Sequence, residues 1–320
     1  MIVHTEVSKK PPMVKKSNLK LYYFAKICYA LLVDCRFSER ILNMQNIFSH
    51  IDSIQKQLAT EVRNRGFDKV VVGLSGGIDS AVVVKLCANV FAHNLHALLL
   101  PTASSNLTHL QDAITFAKDN NITYTITSIA KFDELFRQQH ALYPPLDSHQ
   151  KMRIGNFCAR MRMIHLYDFA ATHNALVIGT SNKSEIMLGY GTLYGDLACA
   201  INPIGNFYKT QIFALAKALG ISQHLIDKKP SADLFENQSD EGDLGYSYAK
   251  IDPFLQALQT LLATKNLQLT NLSLADKSIL ATLRDSLIAQ GFESAFTDSL
   301  LHRIFMNTFK AKMPTILTYQ

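Results

Sequence analysis

Short aliphatic runs alternate along the chain with longer stretches whose apolar residues recur every three or four positions. Val70 to Val72, His96 to Pro101, Ile122 to Ile129 and Ala175 to Thr180 are continuous apolar or β-branched runs, the pattern of strands buried on both faces. Between them lie helical patterns: Ile47 to Arg65, with Ile47, Ile51, Ile54, Leu58 and Val62 on one stripe, then Ala81 to Val90, Thr108 to Asn120, Lys131 to His140 and Arg153 to His173. Ala141 to Gln150 contains Pro144 and Pro145 and is predicted to be a loop. Strands alternating with helices imply an α/β fold with a doubly wound, mostly parallel sheet flanked by helices. Beyond Glu185 the pattern changes. Gly189 to Asp196 is a glycine- and tyrosine-rich loop, Tyr208 to Leu219 a helix, and Lys228 to Gly245 a polar, acidic connection. Tyr248 to Ala263, Ala275 to Ala289 and Phe296 to Phe309 are predicted C-terminal helices, and Lys310 to Pro314 a basic tail.

Charge divides the chain. Residues 1–43 hold eight Lys/Arg against three Asp/Glu, whereas the rest holds 24 against 23. The folded body is nearly neutral, which argues against a nucleic-acid-binding face. The leader joins a basic, Pro-containing segment to an apolar run, Leu21 to Val33, that is short for a membrane span and interrupted by Lys26. It reads as an appended amphipathic helix, a weak membrane anchor or residues upstream of the true start. The last is preferred, since Met44 opens a natural beginning; no stable membrane insertion is expected. The expected organisation is therefore a leader, 1–43, and one domain, 44–320. The five cysteines are scattered and form no Cys-x-x-Cys pair. Zinc knuckles and iron–sulfur sites lack support, and a reducing, cytoplasmic setting fits.

The candidate chemistry begins at Gly73-Leu-Ser-Gly-Gly-Ile-Asp-Ser80. A strand, a glycine turn and a helix start make a phosphate cradle, since glycines let the backbone approach and the helix end offers free N–H groups. Asp79 is an oxygen ligand suited to Mg²⁺. No Gly-Lys-Ser/Thr follows, so this is not a Walker A loop, and it is not Gly-x-Gly-x-x-Gly. A second polar segment, Gly179-Thr-Ser-Asn-Lys-Ser-Glu185, follows the fourth predicted strand. In doubly wound sheets both segments lie in the crevice beyond the carboxyl ends of the strands. Glu185 can there share a metal with Asp79, or serve as a solvated first-turn glutamate favoured by the helix dipole.

The order Ser-Gly-Gly-Ile-Asp-Ser after a strand resembles the pyrophosphate loop of N-type ATP pyrophosphatases, enzymes with a Rossmann-like fold. Three further segments are Asn202 to Gln211, Lys229 to Leu234 and Asp240 to Asp252. With the first two, their order and spacing resemble ammonia-dependent NAD⁺ synthetases, from about Met44 to Pro314. GMP synthetases share only the first loop. The resemblance implies that Gly73, Leu74, Ser75, Gly76, Gly77, Ile78, Asp79 and Ser80 bind ATP, with Thr180, Lys209 and Ser231. It implies Mg²⁺ on Asp79 and Glu185, and deamido-NAD⁺ on Arg160 and Lys310. Asp196 lies where the family closes its ammonia pocket. Asp79, Lys209 and Asp196 are the catalytic candidates. A homodimer is the family's usual assembly.

Leu193, Ala200 and Phe309 depart from the lysine, aspartate and histidine that some family members carry. The ATP half is intact, while the acceptor half differs. The implied reaction is ATP-dependent amidation of deamido-NAD⁺ with ammonia through an acyl-adenylate. The chain leaves no room for a glutaminase, so nitrogen comes as free ammonia or from a partner. An amide ligase with another acceptor is the alternative. A non-catalytic nucleotide-binding regulator is disfavoured by the intact Asp79, Glu185 and Lys209, and a tRNA-modifying enzyme by the neutral body.

Overall fold

A computed structural model describes residues 36–231, 238–314, 316 and 317, with side chains from residue 47 onward. Most of the expected leader and Ala232 to Leu234 of the segment Lys229 to Leu234 lie outside the described residues. The chain divides into two compact units, residues 1–49 and 50–320. The described part of the first is helical, within the helix Arg36–Asn64, which runs through Met44.

The second unit is built on four parallel strands in the order β3-β2-β1-β4. They are β1 (Lys69–Gly73), β2 (Leu95–Leu99), β3 (Thr123–Ile126) and β4 (Ala175–Ile178). The register aligns Val72 with both Ala97 and Ile178. The chain steps outward from β1 to β3, then returns to place β4 on the other side of β1. The order therefore reverses between β1 and β4, where such sheets bind ligands.

Alternation along β1 explains the layers. Val71, with Val177 of β4, joins a core with Ile154, Cys158, Met163 and Leu166 of the helix Ser148–His173. On β1, Val70 and Val72 alternate with Val71 and are equally buried. The helix Ile78–Phe91 packs against β1, β2 and the helix Lys209–Ala218.

A second core gathers the helices Tyr248–Thr264, Lys277–Ala289 and Ser294–Asn307 around the short helix Lys183–Leu188. Phe254 meets Phe292 and Phe296 edge-on, each at 5.3 Å, the arrangement the ring quadrupole favours.

The predicted elements are all present, with shifted ends. β3 spans four residues rather than the predicted eight, and its side chains are largely exposed, as suits an edge strand. The long helix begins at Ser148, inside the predicted loop. Its start is set by a capping box in which Asp147 accepts from the Gln150 N–H at 2.7 Å and the Gln150 side chain accepts from the Asp147 N–H at 3.1 Å. The predicted polar connection before residue 245 contains a helical turn, Asp240–Leu244, capped by Ser239.

Phe296 is 1% exposed and packs against Phe254, Phe292 and Tyr246. Phe296→Ala is expected to cost about 3–5 kcal/mol of stability, read as a fall in the urea midpoint. An unchanged midpoint would contradict this packing.

Candidate active site

The loop after β1 is organised by its own hydroxyls. Ser80 Oγ donates to the Gly77 carbonyl at 2.9 Å and accepts from the Ser75 N–H at 3.2 Å. Ser75 Oγ accepts from the Gly77 N–H at 3.3 Å. These bonds fold the loop onto the start of the helix Ile78–Phe91, with Gly77 as its cap. Gly76 has φ +79°, and a Cβ there would stand 2.1 Å from the His109 carbonyl oxygen. Lys228 Nζ donates to the Gly76 carbonyl at 3.0 Å and to Asp112 Oδ2 at 2.7 Å. Lys228, which directly precedes the segment Lys229 to Leu234, thereby ties it to the phosphate loop.

Lys209 is the centre of the site. It opens the helix Lys209–Ala218 and is 1% exposed. Its amine is paired with Asp79 Oδ2, lies 3.4 Å from Glu185 Oε1 and 3.9 Å from Asp240 Oδ2. Burial alone pulls the amine's pKa down, but the three carboxylates overcome this and hold it above its ordinary value. Glu185 shows the opposite imbalance. Burial pushes its carboxyl up to about 8, Lys209 lowers it, and Asp79 and Asp240 add to the rise. One ammonium does not neutralise three carboxylates, so the cluster is short of positive charge.

Neighbouring side chains hold this cluster. Asn182 caps the helix Lys183–Leu188 by accepting from the Glu185 N–H at 3.0 Å, and its Nδ2 donates to Asp79 Oδ1 at 3.0 Å. Glu185 Oε2 accepts from the Asn182 N–H at 3.1 Å. Asp252, wholly buried, accepts from Ser184 Oγ at 2.6 Å and from the Thr210 N–H at 2.8 Å. Ser184 Oγ in turn accepts from the Lys209 N–H at 3.0 Å. Asp252 thus fastens the helix bearing Glu185 to the helix start bearing Lys209, with its charge at the favourable end of the latter's dipole.

A cavity of about 650 Å³ runs from the phosphate loop past this cluster to the C-terminal helices. Gly73, Leu74, Ser75, Gly77, Asp79, Ser80, Thr180 and Ser231 line it, with Glu185, Asp196, Lys209 and Lys310. Ile78 lines a smaller recess beside Lys228 and Lys229. Gly76 lines neither and acts through its fold. Lys310 Nζ donates to the carbonyls of Gly189 and Gly191 at 2.8 and 3.1 Å. Asp196 Oδ1 accepts from the Thr192 N–H at 2.9 Å. The carboxyl opens onto the cavity but is otherwise enclosed, and that burial raises its pKa above the ordinary carboxylate value. Arg160 is exposed and outside the cavity wall; its Nε donates to the Leu193 carbonyl at 3.2 Å.

Among the described residues no set of three or more His, Cys, Asp and Glu side chains is arranged to hold a metal by itself. Asp79 and Glu185 share one partner at the mouth of the phosphate loop. That donor set suits a hard divalent cation completed by phosphate oxygens rather than by protein alone. Sequence reasoning missed Asn182, Asp240 and Asp252. Asp240 and Asp252 sit at the two ends of a motif it did single out, and Asn182 in another.

A phosphate loop at the strand-order reversal, facing a buried lysine and its carboxylates, defines an ATP-pyrophosphatase-type nucleotide-activating enzyme. The NAD synthase family model matches residues 50–287. An NH(3)-dependent NAD(+) synthetase of Helicobacter hepaticus is 51% identical over 280 residues, 84% of this chain and 97% of its own length. One from Wolinella succinogenes is 46% identical over 275 residues, 86% and 97% of the two. Among solved structures, the NH3-dependent NAD synthetase from Campylobacter jejuni superposes with TM-score 0.63 at 39% identity, covering 86% of this chain and 99% of that one. The NMN synthetase from Francisella tularensis gives 0.66 at 29% identity, covering 85% and 99%. This chain belongs to the NAD synthase family.

Gly76→Ala is expected to lose about 2–4 kcal/mol of stability, from positive φ and the clash with His109, and to weaken ATP binding. Calorimetric titration of ATP and a thermal melt check both. Wild-type values in both would contradict the loop geometry.

Proposed function

We propose that the protein joins ammonia to the carboxylate of deamido-NAD⁺ at the expense of ATP, giving NAD⁺, AMP and pyrophosphate. The observation that carries this is one cavity holding the phosphate loop, the Lys209 cluster and, beyond them, Asp196 and Lys310. A carboxylate is a poor electrophile. Its attack on the α-phosphorus of ATP makes an acyl-adenylate and expels pyrophosphate. Charge then grows on the oxygen bridging the α and β phosphates. Lys209 and the loop N–H groups are the donors we assign to meet it, held in position before the reaction. Ammonia next attacks the activated carbonyl, and AMP leaves with the C–O bond electrons. Ammonium must first lose a proton. Asp196, whose burial makes it a stronger base than an ordinary carboxylate, is the acceptor we assign.

Asp79 and Glu185 are the residues that would hold Mg²⁺, with ATP phosphates completing its shell. The ion, when bound, neutralises phosphate charge. The burial of Glu185 beside Asp79 and Asp240, which raises its carboxyl pKa, supports that role. Arg160 belongs to this reading as an acceptor contact. Lying outside the cavity wall, it would meet a part of the dinucleotide that projects outward, as at the face of a homodimer. No helix among the described residues is long and apolar enough to cross a membrane.

A mononucleotide acceptor is a second reading. The superposition on the Francisella tularensis NMN synthetase supports it, as do Leu193, Ala200 and Phe309. Purified protein with ATP, Mg²⁺, ammonium and either acid separates the two. Equimolar NAD⁺, AMP and pyrophosphate from deamido-NAD⁺ are expected, with no product when glutamine replaces ammonium. Turnover of the mononucleotide alone would overturn the first reading.

Lys209→Ala is expected to cost about 2–4 kcal/mol in kcat/KM, the loss of one preorganised charge donor; unchanged kcat/KM would remove it from the site. Asp196→Asn is expected to slow amide formation by about 10²–10⁴-fold while acceptor-dependent pyrophosphate–ATP exchange persists. Equal loss of both would assign Asp196 to adenylation instead.

A further inference from the structure

The acceptor end of the cavity contains a cation that the proposed reaction has not used. Arg303, on the helix Ser294–Asn307, lines the cavity together with Lys310. Its Nε is buried and has no hydrogen-bond partner among the described residues. Buried polar atoms are nearly always partnered, so an orphan nitrogen on a guanidinium that lines the cavity calls for an explanation. The guanidinium lies over the Tyr190 ring, 5.6 Å from its centroid, a packing that fixes its plane. Asp243, the carboxylate whose charge reaches it, is engaged by Tyr190 Oη at 2.9 Å and by Gln238 Nε2 at 2.7 Å. Lys310 spends its hydrogen bonds on two backbone carbonyls, which carry no full charge. The two cations stand close enough to feel each other, and burial lowers both pKa values. Asp196 offsets part of the Lys310 charge, and two cations drawn together in a cavity wall still favour an anion beside them.

We infer that Arg303, with Lys310, binds a phosphate group of the acceptor and is a specificity-determining residue for the reaction. This rests on the proposed function. Phosphate is favoured over the reacting carboxylate by position. From Lys209 the path to Arg303 runs through Asp240, at 3.9 Å, and Tyr190, whose hydroxyl donates to Asp240 at 3.2 Å. Arg303 therefore stands beyond the reaction centre, where the nucleotide part of the acceptor must lie. A planar guanidinium also matches two phosphate oxygens at once. The Tyr190 link means that an occupied phosphate subsite braces Asp240, one of the three carboxylates around Lys209.

The test is steady-state kinetics of wild type, Arg303→Gln and Arg303→Lys, with NAD⁺ as product inhibitor. NAD⁺ keeps the phosphates and lacks the carboxylate. For Arg303→Gln the KM for deamido-NAD⁺ and the inhibition constant of NAD⁺ are expected to rise together, about 10- to 100-fold. The KM for ATP should stay within about two-fold, which also shows that the variant is folded. Arg303→Lys, keeping the charge without the fork, should fall between. A rise for deamido-NAD⁺ with no change for NAD⁺ would move Arg303 to the carboxylate and overturn the phosphate subsite. Unchanged acceptor constants, or equal rises for ATP, would overturn Arg303's role while wild-type turnover upheld the function. Wild type inactive on deamido-NAD⁺ would instead overturn the proposed function, and the ligand named here with it.

Discussion

The site depends on keeping one ammonium nearly dry among three carboxylates. Lys209 faces Asp79, Glu185 and Asp240, drawn from three segments distant in sequence. Taking any one of these charges out of water alone would be strongly unfavourable. Together they are tolerable because each has a partner and a second hydrogen bond. The arrangement is still negative overall. It is therefore primed for cationic company, and an ATP phosphate chain raises that need further. Burial, with Asp79 and Asp240 close by, lifts the Glu185 carboxyl toward 8, which is the basis for the divalent ion we propose there.

Holding the cluster falls to the architecture around it. β1 and β4 are adjacent parallel strands, so their carboxyl ends deliver Asp79 and Glu185 to one crevice. Lys209 stands on a helix start that Asp252 and Ser184 lock in place. Asp252 comes from the helix Tyr248–Thr264, whose buried apolar residues lie in the aromatic core of the C-terminal helices. That core thus has a consequence for the site: it sets the position of the lysine. It also supplies Arg303 and, just beyond, Lys310.

Much of this was legible in the sequence, for physical reasons. Buried parallel strands read as unbroken apolar runs, so β1 and β4 stood out. The edge strand β3 was read too long, because Ile122 to Ile129 is β-prone throughout while only Thr123–Ile126 is assigned to the strand. The glycine loop and Glu185 were visible because their chemistry is local: a turn, a helix start, a carboxylate. Asp252 was not, although it lies in a motif. A lone acidic residue in an amphipathic helix looks like a solvated one until Ser184 and Thr210 are seen to close on it. Arg303 was hidden in the same way, its meaning resting on a tyrosine more than a hundred residues away.

The central claim is that the acceptor's carboxylate attacks the α-phosphorus of ATP at the Lys209 cluster. The most direct measurement is transfer of ¹⁸O from carboxyl-labelled deamido-NAD⁺, followed by mass spectrometry of the products. One ¹⁸O in each AMP, with unlabelled pyrophosphate, is the expected result. Label in inorganic phosphate, with ADP formed in place of AMP, would contradict it.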